Sequence, residues 1–591
     1  MIRGIQIFKD KLYKALLNGA KAVIKEEKHL NEINVFPVRD ADTGSNLRSL
    51  MDSIVTRSQI KPTLKETLES ISNAALIGSK GNSGLIFSQF IYGLSKDINE
   101  EYIDKETLIN QIKKGYEFAY DAIDIPVEGT MITLMRSWYN LLKHNEDENL
   151  SFEDYLLKTN EQLLVSLEQT KNQLPILKKH NVVDAGALAF TKFVDGFVHT
   201  MLDDDYIVDV VVLDEIDLIE DIDEHDTHDI VYRYCTEILI KSSIEKESLK
   251  KILDKHGDSL VIGKSSEYYK IHIHTNEPDK VFEYISKYTK IVDSKVDDMK
   301  NQYMLKHSRK HDICILTDSI ADIKSSIIDE LQIQVLPVSL NVEDTIYFDK
   351  RSIKNTRLLE LIEDSVVFPS SASPSVVGVK KQLEYLKNLY KHILVITVSS
   401  KMSSTHNVFK HAIEQMDSHD IALIDSKHNS VSEGLIVLQA ARLIEENKSF
   451  SEIVRLTEVF SKQAHILVQV KSLDNMVKSG RIRRSLGIIA KILNLKPVVS
   501  IKDGEGIVLT KTIGKRRSIQ KMIKHLEKIH QTVGIKSYAI CYVNNMREAE
   551  KFKSSLVRVL GFMPEYMTES SAVIAMNAGK DAFAVGYITG E

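Results

Sequence analysis

Two carboxylates two residues apart, Asp40 and Asp42, stand in the run Asn34-Val-Phe-Pro-Val-Arg-Asp-Ala-Asp-Thr-Gly-Ser-Asn46. A hard divalent cation such as Mg²⁺ takes carboxylate oxygens together with substrate phosphates. Thr43, Gly44, Ser45 and Asn46 follow at once, offering backbone N–H groups and small polar side chains that suit phosphate oxygens. Pro37 discourages helix ahead of the acids and Gly44 frees the backbone behind them. Both carboxylates are therefore expected on a loop before a helix that begins near Leu47; the alternative is an acidic turn that only caps that helix. A second run, Gly78-Ser-Lys-Gly-Asn-Ser-Gly84, allows close backbone approach at Gly81 and Gly84, with Asn82 and Ser83 as hydrogen-bond donors. It is not a P-loop, because Gly-x₄-Gly-Lys-Ser/Thr does not occur in this half of the chain. Gly129-Thr130 opens an apolar helical run over 131–142, and Asp184-Ala185-Gly186 opens another over 187–201; such helix starts offer N–H groups to an anion, the alternative being that Thr130 is simply an N-cap. His272 and His274 alternate along a strand-like run and so share one face, where two imidazoles can take a metal or a phosphate, with Cys235 as a third ligand.

The elements that must position these groups fall into distinct regions. At 591 residues the chain exceeds what one hydrophobic core serves, about 250–300 residues, so several domains are expected. A hydrophobic content of 43% and charged content of 27% are ordinary for globular protein, and a net charge of −6 gives no general attraction to nucleic acid or anionic membrane. Three scattered cysteines, Cys235, Cys314 and Cys541, make no disulfide framework. The apolar core of a signal peptide and an apolar run near ~18 residues are both lacking, which predicts a cytoplasmic protein. Apolar residues at helical spacing predict helices over 5–23, 64–77 and 86–96. The span 203–229 has many carboxylates and neither Lys nor Arg, so it reads as a linker, with a strand over 207–213. Between 230 and 305, strands are predicted over 234–240, 259–262 and 269–274 and helices over 244–256 and 279–288, a small α+β domain. From 311 to 591, strand-like runs at 313–316, 335–338, 393–398, 421–424, 466–470, 538–543 and 583–588 alternate with helices in α/β fashion. The basic residues Lys511, Lys515, Arg516, Arg517, Lys521 and Lys524 lack aromatic interleaving and are read as a solvated face or a docking surface for the acidic linker, not as a nucleic-acid site.

The run 34–46 resembles the metal-binding loop of the dihydroxyacetone-kinase L-subunit family, and more closely its form in bacterial fatty acid kinases. Gly78–Gly84, Pro126-Val-Glu-Gly-Thr130 and Val183-Asp-Ala-Gly186 match in the same order. The resemblance implies an all-helical domain over 1–202 that binds ATP through paired Mg²⁺ ions. Asp40 and Asp42 would hold Mg²⁺, with Asn34 as a further ligand. Thr43, Gly44, Ser45, Asn46, Gly81, Asn82, Ser83, Gly129 and Thr130 would cradle phosphates, and Asp184 and Gly186 would lie near the adenine or the phosphates. Arg39 and Ala41 depart from the family's usual proline and glycine. Cys235-Thr-Glu237 and His272-x-His274-Thr275 are similar to the middle domain of fatty acid kinases, which implies catalytic help from His272 and His274 or a Zn²⁺ site made with Cys235. From 311 onward the chain resembles the DegV proteins that bind long-chain fatty acids, through Thr317-Asp-Ser319, Pro369-Ser-Ser371, Val398–Thr405, Asp425-Ser426 and Ser479-Gly-Arg-Ile482. Leu493–Pro497 and Asp503-Gly504 extend the similarity. Ser371 and Ser403 match that family's carboxylate-binding hydroxyls, with Ser370 and Thr405 as their neighbours and Arg481 beside the bound head group. Two departures bear on ligand handling. Asn577 replaces a histidine that touches the carboxylate, retaining a donor but not a cation, with Lys580 nearby as a substitute charge; Ser404 replaces a glycine.

Taken together, these resemblances predict ATP-dependent phosphorylation of a fatty acid carboxylate, giving an acyl phosphate for lipid synthesis, with Arg481 or His274 meeting the transferring group. Joining both halves in one chain would raise their mutual concentration to ~millimolar where the linkers span the sites. Two alternatives stand beside it: a kinase for a small hydroxy-ketone of the dihydroxyacetone type, and a non-catalytic fatty-acid-binding regulator. The expected partners are a fatty acid, separate DegV-like or acyltransferase proteins, a membrane surface touched peripherally and a second copy of the chain in a homodimer.

Overall fold

The computed structural model describes residues 6–35, 42–123, 126–146, 150–210, 230–241, 244–416, 418–482, 496–510 and 512–590. They form two compact units, Met1–Glu277 with Tyr284–His307, and Pro278–Glu283 with Ser308–Glu591. Among the described residues, no helix is long and apolar enough to cross a membrane.

The first unit begins as a helical domain built on Lys9–Lys25, Thr43–Arg57, Leu64–Gly78, Gly81–Leu94, Lys105–Asp121, Met131–His144, Phe152–Thr170 and Ala185–Leu202. Each turns an apolar stripe inward, and the core closes on aromatic rings packed edge to face, Phe87 on Phe193 at 5.2 Å and Phe90 on Phe190 at 5.0 Å. The helix expected from residue 5 starts only at Lys9, because Ile7–Phe8 pairs as a short strand with Tyr102–Ile103. The expected loop at 43–46 is instead the first turn of Thr43–Arg57, with Asp42 at its N-cap position. Likewise Gly81–Gly84 is the first turn of Gly81–Leu94, and only Ser79 and Lys80 connect it to the helix before. Residues 207–210 of the expected acidic strand form none, and 211–229 lie outside the described residues.

The same unit continues as a four-stranded antiparallel sheet in the order Asp258–Lys264, Tyr268–Thr275, Tyr234–Lys241, Ile291–Asp298. Its last strand has a polar, half-exposed pattern suited to a sheet edge, which is why the sequence did not announce it. The sheet is seated on the helical domain through Leu76, Leu85 and Ala122 against Leu239 and Val261. Gln89 completes the seam as a strand would: its amide donates to the Lys264 carbonyl at 3.0 Å and accepts from the Lys264 N–H at 2.9 Å.

In the second unit, a parallel sheet runs Ile421–Asp425, His392–Thr397, Ile313–Asp318, Gln334–Leu336. A six-stranded sheet runs Glu505–Thr510, Val498–Lys502, Ala464–Gln469, Phe583–Thr589, Ile535–Tyr542, Met567–Glu569, antiparallel except for its final pair. Helix Ser430–Glu445 is buried along most of its length and joins both sheets in one core, packing Leu435 and Leu438 with Leu394, Ile396, Ile466 and Ala539. A three-stranded antiparallel sheet, Thr345–Phe348, Ser339–Val342, Ser370–Ala372, adds short strands with too little alternation to be read from sequence.

Candidate functional site

The helical domain gathers part of the phosphate-type set at helix N-termini, where unpaired N–H groups and the macrodipole favour anions. The buried Asp42 accepts a hydrogen bond from Asn46 Nδ2 at 2.8 Å. A Cβ on Gly81, whose φ is +57°, would stand 2.7 Å from that same Asn46 nitrogen, so the two runs meet at this point. Thr43 and Asn34 are buried beside them in sequence. Ser45 is committed elsewhere: its N–H donates to Asn31 Oδ1 at 3.1 Å and its hydroxyl accepts from Asn31 Nδ2 at 3.0 Å. Gly44 answers a packing need, since a Cβ there would lie 2.2 Å from the Glu27 carbonyl oxygen. Asn82 and Ser83 sit half-buried in the first turn after Gly81, and Asp40 lies outside the described residues.

A second group forms around Asp184, which caps Ala185–Leu202 by accepting from the Ala187 N–H at 2.7 Å and also takes backbone hydrogen bonds from Met131 and Gly186. Burial outweighs those bonds and pushes its carboxyl up to about 7. Asp184 thereby ties the starts of Met131–His144 and Ala185–Leu202 together and brings Gly129 and Thr130 near Gly186, whose Cβ would touch Met131 Cε at 2.9 Å. Thr130 occupies the N-cap position without capping; its hydroxyl donates to the Val127 carbonyl at 2.8 Å. Gly129 N–H donates to Thr133 Oγ1 at 2.8 Å, and Thr133 in turn donates to Glu128, which Arg136 grips with two hydrogen bonds of 2.7 and 2.6 Å.

On the sheet, antiparallel register sets Cys235 opposite His274 and Glu237 opposite His272. His272 Nε2 and His274 Nε2 are 3.3 Å apart, and Cys235 Sγ is 3.8 Å from His272 Nδ1. The ligating atoms of the three residues lie within 4.8 Å of one another. One thiol and two imidazoles at this spacing are three of the four ligands that a tetrahedral Zn²⁺ would need. Burial and then His272 push His274 down to about 3, leaving it in the neutral form that ligates metals.

The sequence gives no role to Lys270, or to Glu237 beyond its place in the run Cys235-Thr-Glu237, although alternation puts Glu237 on the face of Cys235. Glu237 Oε1 accepts from the Gly81 N–H at 2.7 Å and lies 3.4 Å from His272 Nδ1, while Oε2 lies 3.6 Å from Lys270 Nζ. Lys270 chiefly, and then His272, hold this buried carboxyl far below the usual carboxylate range against the opposing effect of burial.

In the second unit a cleft has an apolar lining that includes Met402, Val468 and Val499, with Ser371, Ser403, Arg481 and Asn577 among its polar groups. Arg481 Nη2 lies 3.5 Å from Ser371 Oγ, and Nη1 donates to the Ser479 carbonyl; burial lowers the guanidinium's pKa. Thr405 is fully buried and stands behind the wall, its hydroxyl 2.9 Å from Ser403 Oγ and 3.3 Å from Ser373 Oγ. Ser404 pairs with Ser373 at 2.7 Å, and Ser373 is a member of this network that the sequence did not single out. Ser370 is exposed and does not reach the cleft, since neighbouring residues of a strand point to opposite faces. Asn577 lines the cleft, and its amide also donates back to the Val573 carbonyl of its own helix at 2.7 Å, which uses one of its two N–H groups. Lys580 is exposed.

Three family models match successive parts of the chain: the DAK2 domain over residues 37–199, the FakA-like middle domain of fatty acid kinases over 231–305, and the uncharacterised DegV family over 312–590. Among curated proteins, an uncharacterized protein of Staphylococcus aureus is 31% identical over 308 residues, 49% of this chain and 55% of its own length. One of Staphylococcus saprophyticus is 30% identical over 311 residues, 50% of this chain and 56% of its own. The match thus spans about half the length of these relatives. Solved structures similar to part of the chain include a fatty-acid-binding DegV family protein of Thermus thermophilus (22% identity, TM-score 0.44, 47% of this chain and 99% of that one). Another is the fatty acid kinase B3 protein of Streptococcus pneumoniae loaded with linoleic acid (21%, 0.42, 47% and 99%). One polypeptide therefore carries a DAK2 domain, a FakA-like fatty acid kinase middle domain and a DegV domain.

Proposed function

We propose that the chain is an ATP-dependent kinase that phosphorylates the carboxylate of a fatty acid held in the cleft of its own DegV domain or of a DegV-like partner. The single observation that carries this reading is the succession of the three domains in one chain, kinase-type and fatty-acid-kinase-type first and DegV last. The cleft supports it, because an apolar lining with two hydroxyls and a guanidinium suits an acyl chain ending in a carboxylate. Asp42 and Asp40 would hold Mg²⁺, and the first turns at Thr43 and Gly81 would face the phosphates. Bound Mg²⁺ supplies charge neutralisation at the β- and γ-phosphates. Ser371 and Ser403 donate to the acyl carboxylate and Arg481 keeps it ionised, so it attacks without a general base. A bond forms between a carboxylate oxygen and the γ-phosphorus, the bond from that phosphorus to the β-phosphate oxygen breaks, and ADP leaves.

The test is direct. Purified protein loaded with palmitate and given Mg²⁺-ATP, with hydroxylamine as a trap, should yield palmitoyl hydroxamate and one ADP for each. ADP without hydroxamate, or neither product, overturns the reading.

A further inference from the structure

A buried polar contact outside the assigned residues lies where the sheet meets the glycine run. Two buried, oppositely charged side chains on neighbouring strands, Glu237 and Lys270, are aimed at the backbone on either side of the two-residue link Ser79-Lys80. Lys270 Nζ donates to the carbonyls of Ile77, at 3.4 Å, and Ser79, at the end of helix Leu64–Gly78. Glu237 accepts the first N–H of helix Gly81–Leu94. A helix leaves its last carbonyls and first amides without internal partners, and its dipole favours a cation at the former and an anion at the latter. The pair meets both demands at once, one charge on each helix end.

We propose that Glu237 and Lys270 are a positioning pair through which the sheet fixes the geometry of the glycine run and so sets the affinity of the helical domain for a nucleoside triphosphate. This rests on the reading that the glycine run takes the nucleotide's phosphates. Glu237 uses the Gly81 amide as the anchor. The next two amides of the turn, Asn82 and Ser83, have no acceptor within their helix and stay oriented toward an incoming oxyanion. Gly81 itself is held at φ +57° against Asn46, so the anchor also sets the distance from the glycine run to Asp42. Loss of the anchor lets the turn sample other conformations, and ordering it again is charged against nucleotide binding.

The experiment uses the full chain with Glu237→Ala, Glu237→Gln and Lys270→Met. Titration calorimetry gives the Kd for Mg²⁺-ATP, hydrogen–deuterium exchange follows the 78–85 segment, and a thermal melt checks folding. In the alanine and methionine variants Kd and KM for ATP should rise about tenfold with kcat within about twofold, and 78–85 should exchange faster while the rest of the helical domain does not. Glutamine keeps a carbonyl acceptor for the Gly81 amide and should stay within about threefold of wild type. Unchanged Kd and unchanged exchange in folded alanine and methionine variants overturn the proposal. Should the alanine variant fail to fold, the methionine variant decides. Wild-type protein that does not bind Mg²⁺-ATP refutes the nucleotide reading itself, and the exchange of 78–85 still reports separately on the clamp.

Discussion

At the scale of single residues, Asp42 carries two duties that a substitution can separate. Its carboxylate receives Asn46 Nδ2 in the first turn of its helix, and it stands where the proposed Mg²⁺ needs a charged oxygen. Asparagine is as good an N-cap residue as aspartate and still offers a carbonyl oxygen to Asn46. Asp42→Asn should therefore leave the melting temperature within about a degree or two while ATP-dependent hydroxamate formation falls at least about a hundredfold; a melt and a trap assay on the same sample check both. Asn577 is likewise shared: one N–H of its amide goes to the Val573 carbonyl one turn back in its own helix, and the residue still lines the cleft.

At the scale of elements, the proposed phosphate groups sit at the starts of helices Thr43–Arg57, Gly81–Leu94, Met131–His144 and Ala185–Leu202. Glycine and small polar residues made two of these starts look like loops; in the folded chain the same residues form first turns, where glycine costs little and unpaired amides are an asset. Gly81 has the strictest requirement, a left-handed φ together with contact to Asn46 at the Cβ position. Gly81→Ala should lower stability by about 1–2 kcal/mol through the backbone alone. The new methyl also displaces Asn46 from Asp42, so Mg²⁺-ATP affinity should drop at least about tenfold; calorimetry of nucleotide binding beside a denaturant melt reads the two effects separately.

At the scale of the whole molecule, the two units have different cores, and the second contains a set of buried acids. Asp318 and Asp349 are pushed up from 3.8 to about 6, chiefly by burial, opposed for Asp318 by backbone hydrogen bonds from Val398 and Ile320 and for Asp349 by Lys350; Glu433 is raised well above its ordinary value, by burial and then by Asp318 and Asp322. Asp318 and Asp349 receive backbone N–H groups from Val398 and Ala572, which tie distant loops to one point. Because the folded pKa values lie above the unfolded ones, the folded state binds more protons between pH 3.8 and about 6, and stability falls as pH rises through that window. The second unit should thus melt at a higher temperature at about pH 5.5 than at about pH 7.5. Scanning calorimetry at the two values checks this, with Glu433→Gln expected to flatten the dependence, since the amide stays neutral throughout.

Local pattern alone determined the kinds of element: apolar residues at helical spacing in the first 202 positions, short alternating strands carrying His272 and His274 on one face, and an α/β rhythm beyond 311. The resemblance to DegV proteins, not periodicity, brought Ser371, Ser403 and Arg481 into consideration together, and the fold lines one cleft with them. Periodicity is a property of a few consecutive residues, so it survives whatever the rest of the chain does. Tertiary structure decided which of the adjacent serines 370 and 371 faces the cleft, since that depends on which side of a short strand becomes buried. It decided that Ser45 serves Asn31 and that Thr405 supports Ser403 from behind. Above all it joined Glu237 to Gly81 across 156 residues of chain. A carboxylate in a strand has no local acceptor or donor that foretells its partner; only the seating of the sheet on the helical domain, driven by burial of Leu76, Leu85, Leu239 and Val261, delivers it to the end of a helix.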